Sequence, residues 1–400
     1  MRDKGSDRLL VAIGFVVFIV IGFNGGMMGV AWPSIRDTFG VGDDAFAVLT
    51  MVSTLGSLAV TFYSGSLIDR FGIGPLLMVS YLAGALGFTG YALAPSWGMI
   101  VLLRLVAAIG TATINPGINA YFAMRESAGR MNWLHACFGL GATLGPLAMT
   151  VILGQGLSWR WGYGIVVLTY VLLALLFGLT LKRWPGPKAP KEGAGAGPSA
   201  EKSSDSASAA PNRLWAEPAI WVSLLLFFAF TGMEVSTGQW SYTLFTEGRG
   251  IRAAIAGTWA SAYWMSMTVG RAFFGLVADR IKPVLLVRLC MSGAVLGAVL
   301  VWAAPMPVFG LLGLLLAGFC LAPLFPVITF DTSQRLGAER AARVIGYQGT
   351  AVKLGLAAVP ALAGIMVEGM GAQVIGPFLV VLSVVAMFLH EVSLRVKIQS

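Results

Sequence analysis

Charged residues are scarce in this 400-residue chain. Only 11% of its residues are Asp, Glu, Lys or Arg, whereas a soluble globular domain carries about 25%. Histidine occurs twice and cysteine three times, and Cys137, Cys290 and Cys320 each lie inside an apolar run. These shortages exclude an ordinary soluble protein, a clustered histidine metal site and an extracellular disulfide framework.

Apolar residues and glycine are abundant instead. Hydrophobic residues make up 57% of the chain, and 51 of its residues are glycine. The mean hydropathy is +0.81. Glycine allows helices to approach one another closely in lipid, where apolar side chains gain little from packing together. The composition therefore predicts an all-α protein of the lipid bilayer.

The sequence divides into twelve apolar runs at clusters of glycine, proline and charge. A bilayer core about 30 Å thick needs roughly 20 apolar residues for each crossing helix. The runs that meet this length are 9–31, 45–68, 75–95, 98–123, 132–154, 163–181, 218–245, 254–278, 284–304, 307–330, 343–367 and 374–392. We therefore expect twelve transmembrane helices.

Basic residues fall unevenly on the two sides of these spans. If the chain begins in the cytoplasm, 20 of its 27 Lys and Arg residues lie on the cytoplasmic side and four on the other. Cytoplasmic loops are the ones enriched in Lys and Arg. We therefore expect both termini on the cytoplasmic side of the cytoplasmic (inner) membrane. The same distribution explains the net charge of +9 without a nucleic-acid partner.

A polar segment separates the sixth and seventh spans. Residues 182–217 are rich in Pro, Gly, Ala, Ser and Lys and contain almost no bulky apolar residue. Such a composition favours a flexible linker. It predicts an N-terminal six-helix bundle over 1–181, a cytoplasmic linker over 182–217 and a C-terminal six-helix bundle over 218–400.

An internal repeat relates these two halves. The second span is followed by Gly65-Ser66-Leu67-Ile68-Asp69-Arg70, and the eighth by Gly275-Leu276-Val277-Ala278-Asp279-Arg280. The two copies are 210 residues apart and share the pattern G-x-x-x-D-R. Matching polar turns at equivalent places indicate a duplicated bundle.

At these residues the chain resembles the major facilitator superfamily of secondary transporters. That family carries a G-x-x-x-D-R/K-x-G motif after its second span; here the first copy continues Phe71-Gly72, and the second departs from the motif with Ile281-Lys282. The resemblance implies two pseudo-symmetric six-helix bundles, the major facilitator fold. It also implies that the motif aspartates cap a neighbouring helix and pair across the halves. The implied gating residues are Asp69, Arg70, Asp279 and Arg280.

Two further segments resemble the branch that contains fucose:proton symporters and sodium-dependent glucose transporters. They are Gly232-Met233-Glu234-Val235-Ser236-Thr237-Gly238-Gln239-Trp240 and Met131-Asn132-Trp133-Leu134-His135-Ala136-Cys137-Phe138-Gly139. This resemblance implies a sugar or another small polar solute as substrate. Related branches with the same spans include exporters, so the direction of transport stays open.

Ionisable residues inside the spans are the candidates for coupling to a cation. Each costs about 2.5–3.5 kcal/mol at mid-membrane and therefore indicates function. Glu234 lies near the middle of the seventh span and is our first candidate for a carboxyl group that binds a proton on one side and releases it on the other; the alternative is a permanent structural ion pair. Lys353 lies in the eleventh span. It can neutralise Glu234 or Asp331, attract an anionic substrate, or carry a proton itself.

Arg104 lies early in the fourth span and starts the pattern R-x-x-x-x-x-G, which ends at Gly110. The resemblance implies that this arginine tunes a nearby carboxylate. The first span offers no Asp or Glu as its partner. A structural or lipid-headgroup role therefore stays open beside the coupling role.

Amides and aromatic rings in the spans are the candidates for substrate binding. Asn24 lies 210 residues before Glu234, at the matched position of the other half, and Asn115 and Asn119 share one helix face because they are four residues apart. Bonds between helices are the alternative role for these amides. The complete set of substrate candidates is Asn24, Asn115, Asn119, Gln239, Trp240, Tyr263 and Gln348. His135 is predicted to form a gate hydrogen bond, with a proton relay as the alternative.

These observations predict a secondary active transporter that moves a small polar solute, with a sugar as the first expectation, by alternating access. Coupling to H⁺ is favoured over Na⁺. A proton-coupled exporter and an organic-anion transporter of the same fold are the alternatives. We expect a monomer with no cofactor, no metal and no enzymatic activity, since the sequence has no P-loop, H-E-x-x-H pair or nucleophile elbow.

Overall fold

Helices form almost all of the chain that the structure describes. The structure is a computed structural model, and it describes residues 7–126, 128–184, 186, 217–277, 280–303, 306–336 and 338–396. The helices of the first half are α1 Arg8–Phe39, α2 Ala45–Phe71, α3 Ile73–Leu93, α4 Trp97–Thr111, α5 Ile114–Arg125, α6 Ala128–Gly154 and α7 Arg160–Thr180. Those of the second half are α8 Pro218–Thr243, α9 Ala253–Val277, α10 Pro283–Ala303, α11 Pro307–Leu321, α12 Leu324–Leu336, α13 Ala338–Met370 and α14 Ile375–Arg395.

Two of the predicted spans are each built from two helices. The fourth span is α4 followed by α5, with a turn at Ala112–Thr113, and the tenth is α11 followed by α12, with a turn at Ala322–Pro323. The last residues of α4 and α11, Thr111 and Leu321, are 210 residues apart, which is the offset of the sequence repeat. The fourteen α-helices of the described residues thus correspond to the twelve predicted spans, and the predicted fold class is confirmed.

Ten of the described helices are long and apolar enough to cross a membrane, and an eleventh is added if Ala45–Leu58 and Tyr63–Phe71, which meet at a bend of 53°, form one span. The remaining predicted span is α9. Its 25 residues suffice in length, but it is less apolar because it holds serine, threonine and Arg271.

Helix ends follow the local sequence. Asp7 precedes α1, and its carboxylate accepts a hydrogen bond of 3.1 Å from the Leu9 backbone N–H, as an N-cap does. Gly40 ends α1 with φ +60°, a backbone conformation that favours glycine. α1 therefore runs eight residues beyond the predicted end at 31 and includes Pro33.

The first copy of the repeated motif is helical, which corrects the prediction of a turn. Residues 65–70 are the last turns of α2, and the chain turns at Gly72, where φ is +79°. In the second copy, α9 ends at Val277, and Asp279 lies outside the described residues. Residues 187–216 of the predicted linker also lie outside them, so the linker stays a prediction.

Glycines bring α1 and α6 into contact inside the first bundle. A Cβ on Gly22 would overlap the backbone of α6 at Phe138, and one on Gly141 would overlap the backbone of α1 at Ile19. Gly26 and Gly145 repeat this arrangement one turn along. The glycine-rich segment 139–145 is therefore a helix-packing surface.

The two bundles contact each other along α6 and α9. The Ser261 hydroxyl of α9 donates a hydrogen bond of 2.5 Å to the Thr143 carbonyl of α6. Gly257 of α9 leaves no room for a side chain because the Thr150 hydroxyl occupies the space beside it. The mutual approach of these helices is thus set by small residues.

A second contact between the bundles joins α2 to α13 at one end of the molecule. The loop before α2 contributes Asp43, whose backbone N–H donates a hydrogen bond of 2.6 Å to Glu368 of α13. Phe46 of α2 packs edge-on against Trp240 of α8, with ring centroids 5.2 Å apart. We call this the closed end; the opposite end, where α1 begins and α14 ends, is the terminal end.

Candidate functional site

A cavity of about 200 Å³ lies between the bundles. Most of its wall comes from α1, α2, α4 and α7 of the first bundle, and the rest from α8 and α13 of the second. Its lining residues are Asn24, Gly25, Met28, Phe46, Leu49, Thr50, Ser53, Thr54, Arg104, Tyr163, Val235, Gln239, Leu356, Ala357 and Pro360. We call this space the central cavity. Three of the predicted residues, Asn24, Arg104 and Gln239, meet in it.

Arg104 is held at the first-bundle wall of the central cavity by α2. Its Nε–H donates a hydrogen bond to the Ser53 hydroxyl, which in turn donates one of 2.6 Å to the Leu49 carbonyl. The hydroxyls of Tyr91 and Tyr163 lie within electrostatic range of the guanidinium. The carboxylate partner that the resemblance implies is not found: among the described residues, Arg104 forms no ion pair.

Gln239 and Asn24 face each other across the boundary between the bundles. The Gln239 side-chain amide donates a hydrogen bond of 3.4 Å to the carbonyl of Gly25, the neighbour of Asn24. The Gln239 Oε1 atom is buried and accepts no hydrogen bond among the described residues. Both amides therefore retain hydrogen-bonding capacity toward the central cavity.

Glu234 pairs with an arginine of its own bundle rather than with Lys353. The Glu234 Oε1 atom is 3.5 Å from Nη2 of Arg271 on α9. The sequence suggested Lys353 as a partner of Glu234, and in the structure Arg271 takes that place. The hydroxyl of Tyr263 donates a hydrogen bond of 2.7 Å to the Glu234 backbone carbonyl and so fixes α8 against α9 at this level.

The Glu234–Arg271 pair lies close to the first bundle. His135 of α6 is within electrostatic range of Arg271 and packs edge-on against Phe18, with ring centroids 5.5 Å apart. The residue after Glu234, Val235, lines the central cavity. Helix α8 therefore connects the charge pair to the cavity wall.

Two aromatic residues predicted to bind substrate are structural in this conformation. Trp240 is 1% exposed, and its indole N–H donates a hydrogen bond of 2.9 Å to the Pro360 carbonyl. Tyr263 is fully buried against α8. Neither side chain lines the central cavity, because both point toward neighbouring helices whose contacts the sequence does not reveal.

The remaining predicted amides lie away from the central cavity. The Asn119 amide donates hydrogen bonds within α5 to the carbonyl and the side chain of Asn115. Gln348 is buried and donates hydrogen bonds of 2.7 and 3.1 Å to the hydroxyls of Ser223 and Thr332. Both of those hydroxyl residues line a second, smaller cavity of about 50 Å³ in the second bundle.

The predicted gating residues lie toward the terminal end. Asp69, Arg70 and Arg280 are exposed, and the guanidinium of Arg70 lies 5.3 Å from the centre of the Phe71 ring. Asp279 is outside the described residues. The roles of these residues in gating stay predictions.

Sequence reasoning missed an ionic cluster at the closed end. Arg36 donates hydrogen bonds of 2.7 Å to Asp43 and of 2.9 and 3.2 Å to Glu247, which follows α8. The Trp32 indole N–H donates one of 2.7 Å to the same Asp43 carboxylate. Together with Glu368, these groups join the bundles, and we call Arg36, Asp43, Glu247 and Glu368 the latch. These residues lie at helix ends and in loops, where charged residues are common, so the sequence did not distinguish them.

The family model of the Major Facilitator Superfamily matches residues 14–360 and 242–397. The chain therefore belongs to this superfamily. The 3-(3-hydroxy-phenyl)propionate transporter of Escherichia coli (strain K12) is 25% identical over 399 residues, which are 94% of this chain and 91% of that protein. Plastidic glucose transporter 4 of Arabidopsis thaliana is 25% identical over 193 residues, 46% of this chain and 35% of that protein. The first four relatives are matched over only 34–41% of their own lengths.

Solved structures share the fold. A bacterial homolog of the human lysosomal transporter Spinster, in an inward-facing and occupied conformation, has a TM-score of 0.74 at 15% identity and covers 98% of each chain. A D-xylose-proton symporter has a TM-score of 0.71 at 14% identity and covers 94% of this chain and 96% of that one. The matched proteins include sugar, nucleoside and aromatic-acid transporters. The comparisons therefore do not single out the fucose and glucose branch, and that assignment stays a prediction.

Proposed function

We propose that the protein is a secondary active transporter that carries a small polar solute across the cytoplasmic membrane and couples this movement to protons. The observation that carries the proposal is the Glu234–Arg271 pair beside the central cavity. A carboxylate and a guanidinium within a membrane-spanning region are costly and are retained where they serve a pathway for ions or solutes. Their position between the cavity wall and α6 of the other bundle suits coupling.

The central cavity and the latch support alternating access. A transporter of this kind binds its solute near the bilayer midplane and exposes the site to one side at a time by rocking one bundle against the other. Here the cavity lies between the bundles, and the latch joins them at one end. Opening the closed end requires the Arg36–Glu247 and Asp43–Glu368 contacts to break.

Proton coupling follows from the electrostatics of the pair. When the Glu234 carboxylate binds a proton, it loses its charge and its attraction for Arg271. The guanidinium is then available to other groups, and His135 on α6 of the other bundle lies within its electrostatic range. Because the interaction between α8, α9 and α6 differs in the two protonation states, proton binding biases the equilibrium between the two conformations.

The orientation and the division of the chain are also part of this proposal. The excess of Lys and Arg on one side supports cytoplasmic termini, which places the terminal end in the cytoplasm and the closed end outside. The division at 1–181, 182–217 and 218–400 is supported by the 210-residue offset of the two broken spans. We propose that one chain suffices for transport, since both bundles contribute to a single cavity.

The test is transport by the purified full-length protein in proteoliposomes, after subtraction of uptake by protein-free liposomes. Labelled D-glucose, uridine and 3-phenylpropionate serve as probes in two assays: accumulation driven by a proton gradient, and exchange without a gradient. Glu234→Gln is expected to lose accumulation and keep exchange, because the amide mimics the protonated acid. Arg183→Gln, an exposed arginine of the first bundle paired with Asp7, is the control and should retain both. Accumulation by Glu234→Gln at the wild-type level contradicts the proposal.

A further inference from the structure

We propose that the solute is a small amphipathic organic acid whose carboxylate binds Arg104 and whose apolar body rests on α13. This inference rests on the proposed function, because it names the substrate class of the same transport site. Its support comes from the charge, the hydrogen bonds and the two unlike walls of the central cavity.

The charge of the central cavity is that of one arginine. Among the residues that line it, Arg104 is the single ionisable side chain of fixed charge, and none is Asp or Glu. Glu234 and Arg271 compensate each other outside the lining. A cation without a counter-charge in a partly buried site is unfavourable. An anionic solute supplies that counter-charge, whereas a cationic solute is repelled.

The hydrogen bond to Ser53 prepares Arg104 for a carboxylate. It occupies the Nε–H and connects the guanidinium through Ser53 to the Leu49 carbonyl, so the plane of the guanidinium is held against α2. The Tyr91 hydroxyl lies within hydrogen-bonding reach of the same guanidinium. The remaining N–H donors of the two terminal amino groups are left for other partners. Arginine binds carboxylates through two parallel hydrogen bonds, which fix the orientation of the acid as well as adding affinity.

The hydroxyls around Arg104 are poor donors to a solute. Thr50 donates hydrogen bonds to the carbonyls of Phe46 and Ala47, and Thr54 donates one of 2.9 Å to the Thr50 carbonyl. With Ser53 committed to Leu49, the three hydroxyls of α2 are used within their own helix. The hydroxyl of Tyr163, which also lines the cavity, donates a hydrogen bond of 3.0 Å to the Met28 sulfur. The donors left on the first-bundle side of the cavity are therefore those of the guanidinium and of the Asn24 amide.

The opposite wall is apolar. Leu356, Ala357 and Pro360 of α13 form it together with Val235 of α8. Gln239 is the polar side chain contributed by this bundle, and its buried Oε1 atom has no hydrogen-bond partner among the described residues. A solute body on this wall is thus favoured when it is apolar, with room for one polar substituent that reaches Gln239.

The size and the pattern of the cavity favour such an acid over a neutral sugar. At about 200 Å³, it is smaller than the pockets of about 300–1,000 Å³ that hold drug-sized ligands. A sugar carries hydroxyls on every edge, and those that face Leu356, Ala357 and Pro360 would be buried without partners. Each unsatisfied buried group costs about 1–3 kcal/mol, so the apolar wall discriminates against sugars.

Lys353 is placed to attract acids rather than to bind them. It lies three and four residues before Leu356 and Ala357 on α13, on the side of the terminal end, and it does not line the central cavity. Residues at this spacing share a helix face. A positive charge one turn from the cavity raises the local concentration of anions without contacting the bound carboxylate.

The test is equilibrium binding to the purified full-length protein in detergent at one fixed pH, which needs no proton gradient. The probes are 3-phenylpropionate and hexanoate, their neutral amides 3-phenylpropionamide and hexanamide, acetate, and D-glucose. The acids are expected to bind at least 10-fold more tightly than their amides. Acetate is expected to bind more weakly than hexanoate, because it does not reach the apolar wall.

Three variants locate the site. Arg104→Gln is expected to weaken binding of 3-phenylpropionate by about 10- to 100-fold, the range of a charged hydrogen-bonded pair, and Arg104→Lys to recover only part of the loss because an ammonium cannot bind bidentately. Leu356→Ala is expected to weaken the binding of 3-phenylpropionate by about 10-fold and to leave the binding of acetate almost unchanged. Leu356 is exposed to the cavity, so this variant tests the second wall even if Arg104→Gln does not fold. The matched control is Arg125→Gln, an exposed arginine of the same bundle.

The outcomes separate this inference from the proposed function. Equal binding of 3-phenylpropionate and its amide overturns the inference, as does unchanged binding in Arg104→Gln. Binding that is lost in Lys353→Ala but kept in Arg104→Gln also overturns it, since the carboxylate would then lie elsewhere. Preferential binding of D-glucose overturns the substrate class while leaving proton coupling through Glu234 intact. Conversely, failure of the Glu234→Gln transport test does not alter these binding results.

Discussion

Arg36 and Glu247 form a two-pronged ion pair across the boundary of the two bundles. The Nη2–Oε1 distance is 2.9 Å and the Nη1–Oε2 distance is 3.2 Å. Arg36 ends α1 and Glu247 follows α8, the pair of helices related by the internal repeat. The same guanidinium binds Asp43, so one arginine organises the latch at the closed end.

Removing this arginine should open the closed end. Arg36→Gln is expected to lower the ratio of closed to open molecules by about 5- to 150-fold, which corresponds to about 1–3 kcal/mol, because this side chain joins Asp43 of the first bundle to Glu247 of the second. Spin labels on Asp44→Cys and Met370→Cys, both at exposed positions of that end, report the distance between the bundles. A distance distribution identical to that of the labelled protein with Arg36 intact would contradict the role of the latch. Arg183→Gln in the same labelled protein is the control.

We expect the bond between Asp43 and Glu368 to depend on the acceptor more than on its charge. Glu368 accepts its hydrogen bond from a backbone N–H, so Glu368→Gln retains an acceptor in the same place. Glu368→Ala should therefore shift the spin-label distances toward the open form, by about 3- to 10-fold in population, whereas Glu368→Gln should remain close to wild type. Equal shifts in the two variants would show that the carboxylate charge is what matters.

Two glycines of one helix should respond differently to the same substitution. Gly257→Ala places a methyl group against the Thr150 hydroxyl of the other bundle, while a Cβ at Gly275 meets nothing within 4 Å. We expect Gly257→Ala to destabilise this conformation by about 1–3 kcal/mol through overpacking and Gly275→Ala to be neutral or stabilising. Thermal unfolding in detergent measures both. The second substitution Thr150→Ala should restore part of the stability lost in Gly257→Ala, since it removes the hydroxyl and methyl groups but keeps a Cβ that would lie 2.8 Å from the new methyl group. No recovery at all would mean that the contact is not the cause.

Trp240 provides a test of the packing role assigned to it. Trp240→Phe keeps a ring against Phe46 and removes the indole N–H that binds the Pro360 carbonyl. The expected cost is about 1–3 kcal/mol, as for a buried carbonyl left without its donor, seen as a lower unfolding temperature. If Trp240 instead contacted the solute, binding of 3-phenylpropionate would fall while the unfolding temperature stayed constant.

Hydropathy and the internal repeat were sufficient to predict the helices, since each span needs only its own apolar length. They also pointed to Glu234, because a single carboxylate in an apolar run is conspicuous. Its partner could not be found in this way. Whether Glu234 meets Arg271 or Lys353 depends on the rotation of α8 against α9 and α13, and many rotations are compatible with the same apolar sequence.

The burial of individual side chains inside the bundles could not be predicted from the sequence either. Trp240 lies on α8, which contributes to the cavity wall, and Tyr263 lies on the neighbouring α9. Both residue types suit a binding site as well as a helix interface. The structure shows that their polar atoms are used by backbone carbonyls of neighbouring segments. The latch was missed for another reason: Arg36, Glu247 and Glu368 occur near helix ends, where charged residues are ordinary.

The central cavity takes its cationic wall from one bundle and its apolar wall from the other. A bound acid that touches both therefore acts as a cross-link between two bodies that must move relative to each other. Acids long enough to reach α13 from Arg104 should be carried, whereas shorter ones that occupy Arg104 alone should compete for the site without being moved. Chain length, more than acid strength, would then separate cargo from inhibitor.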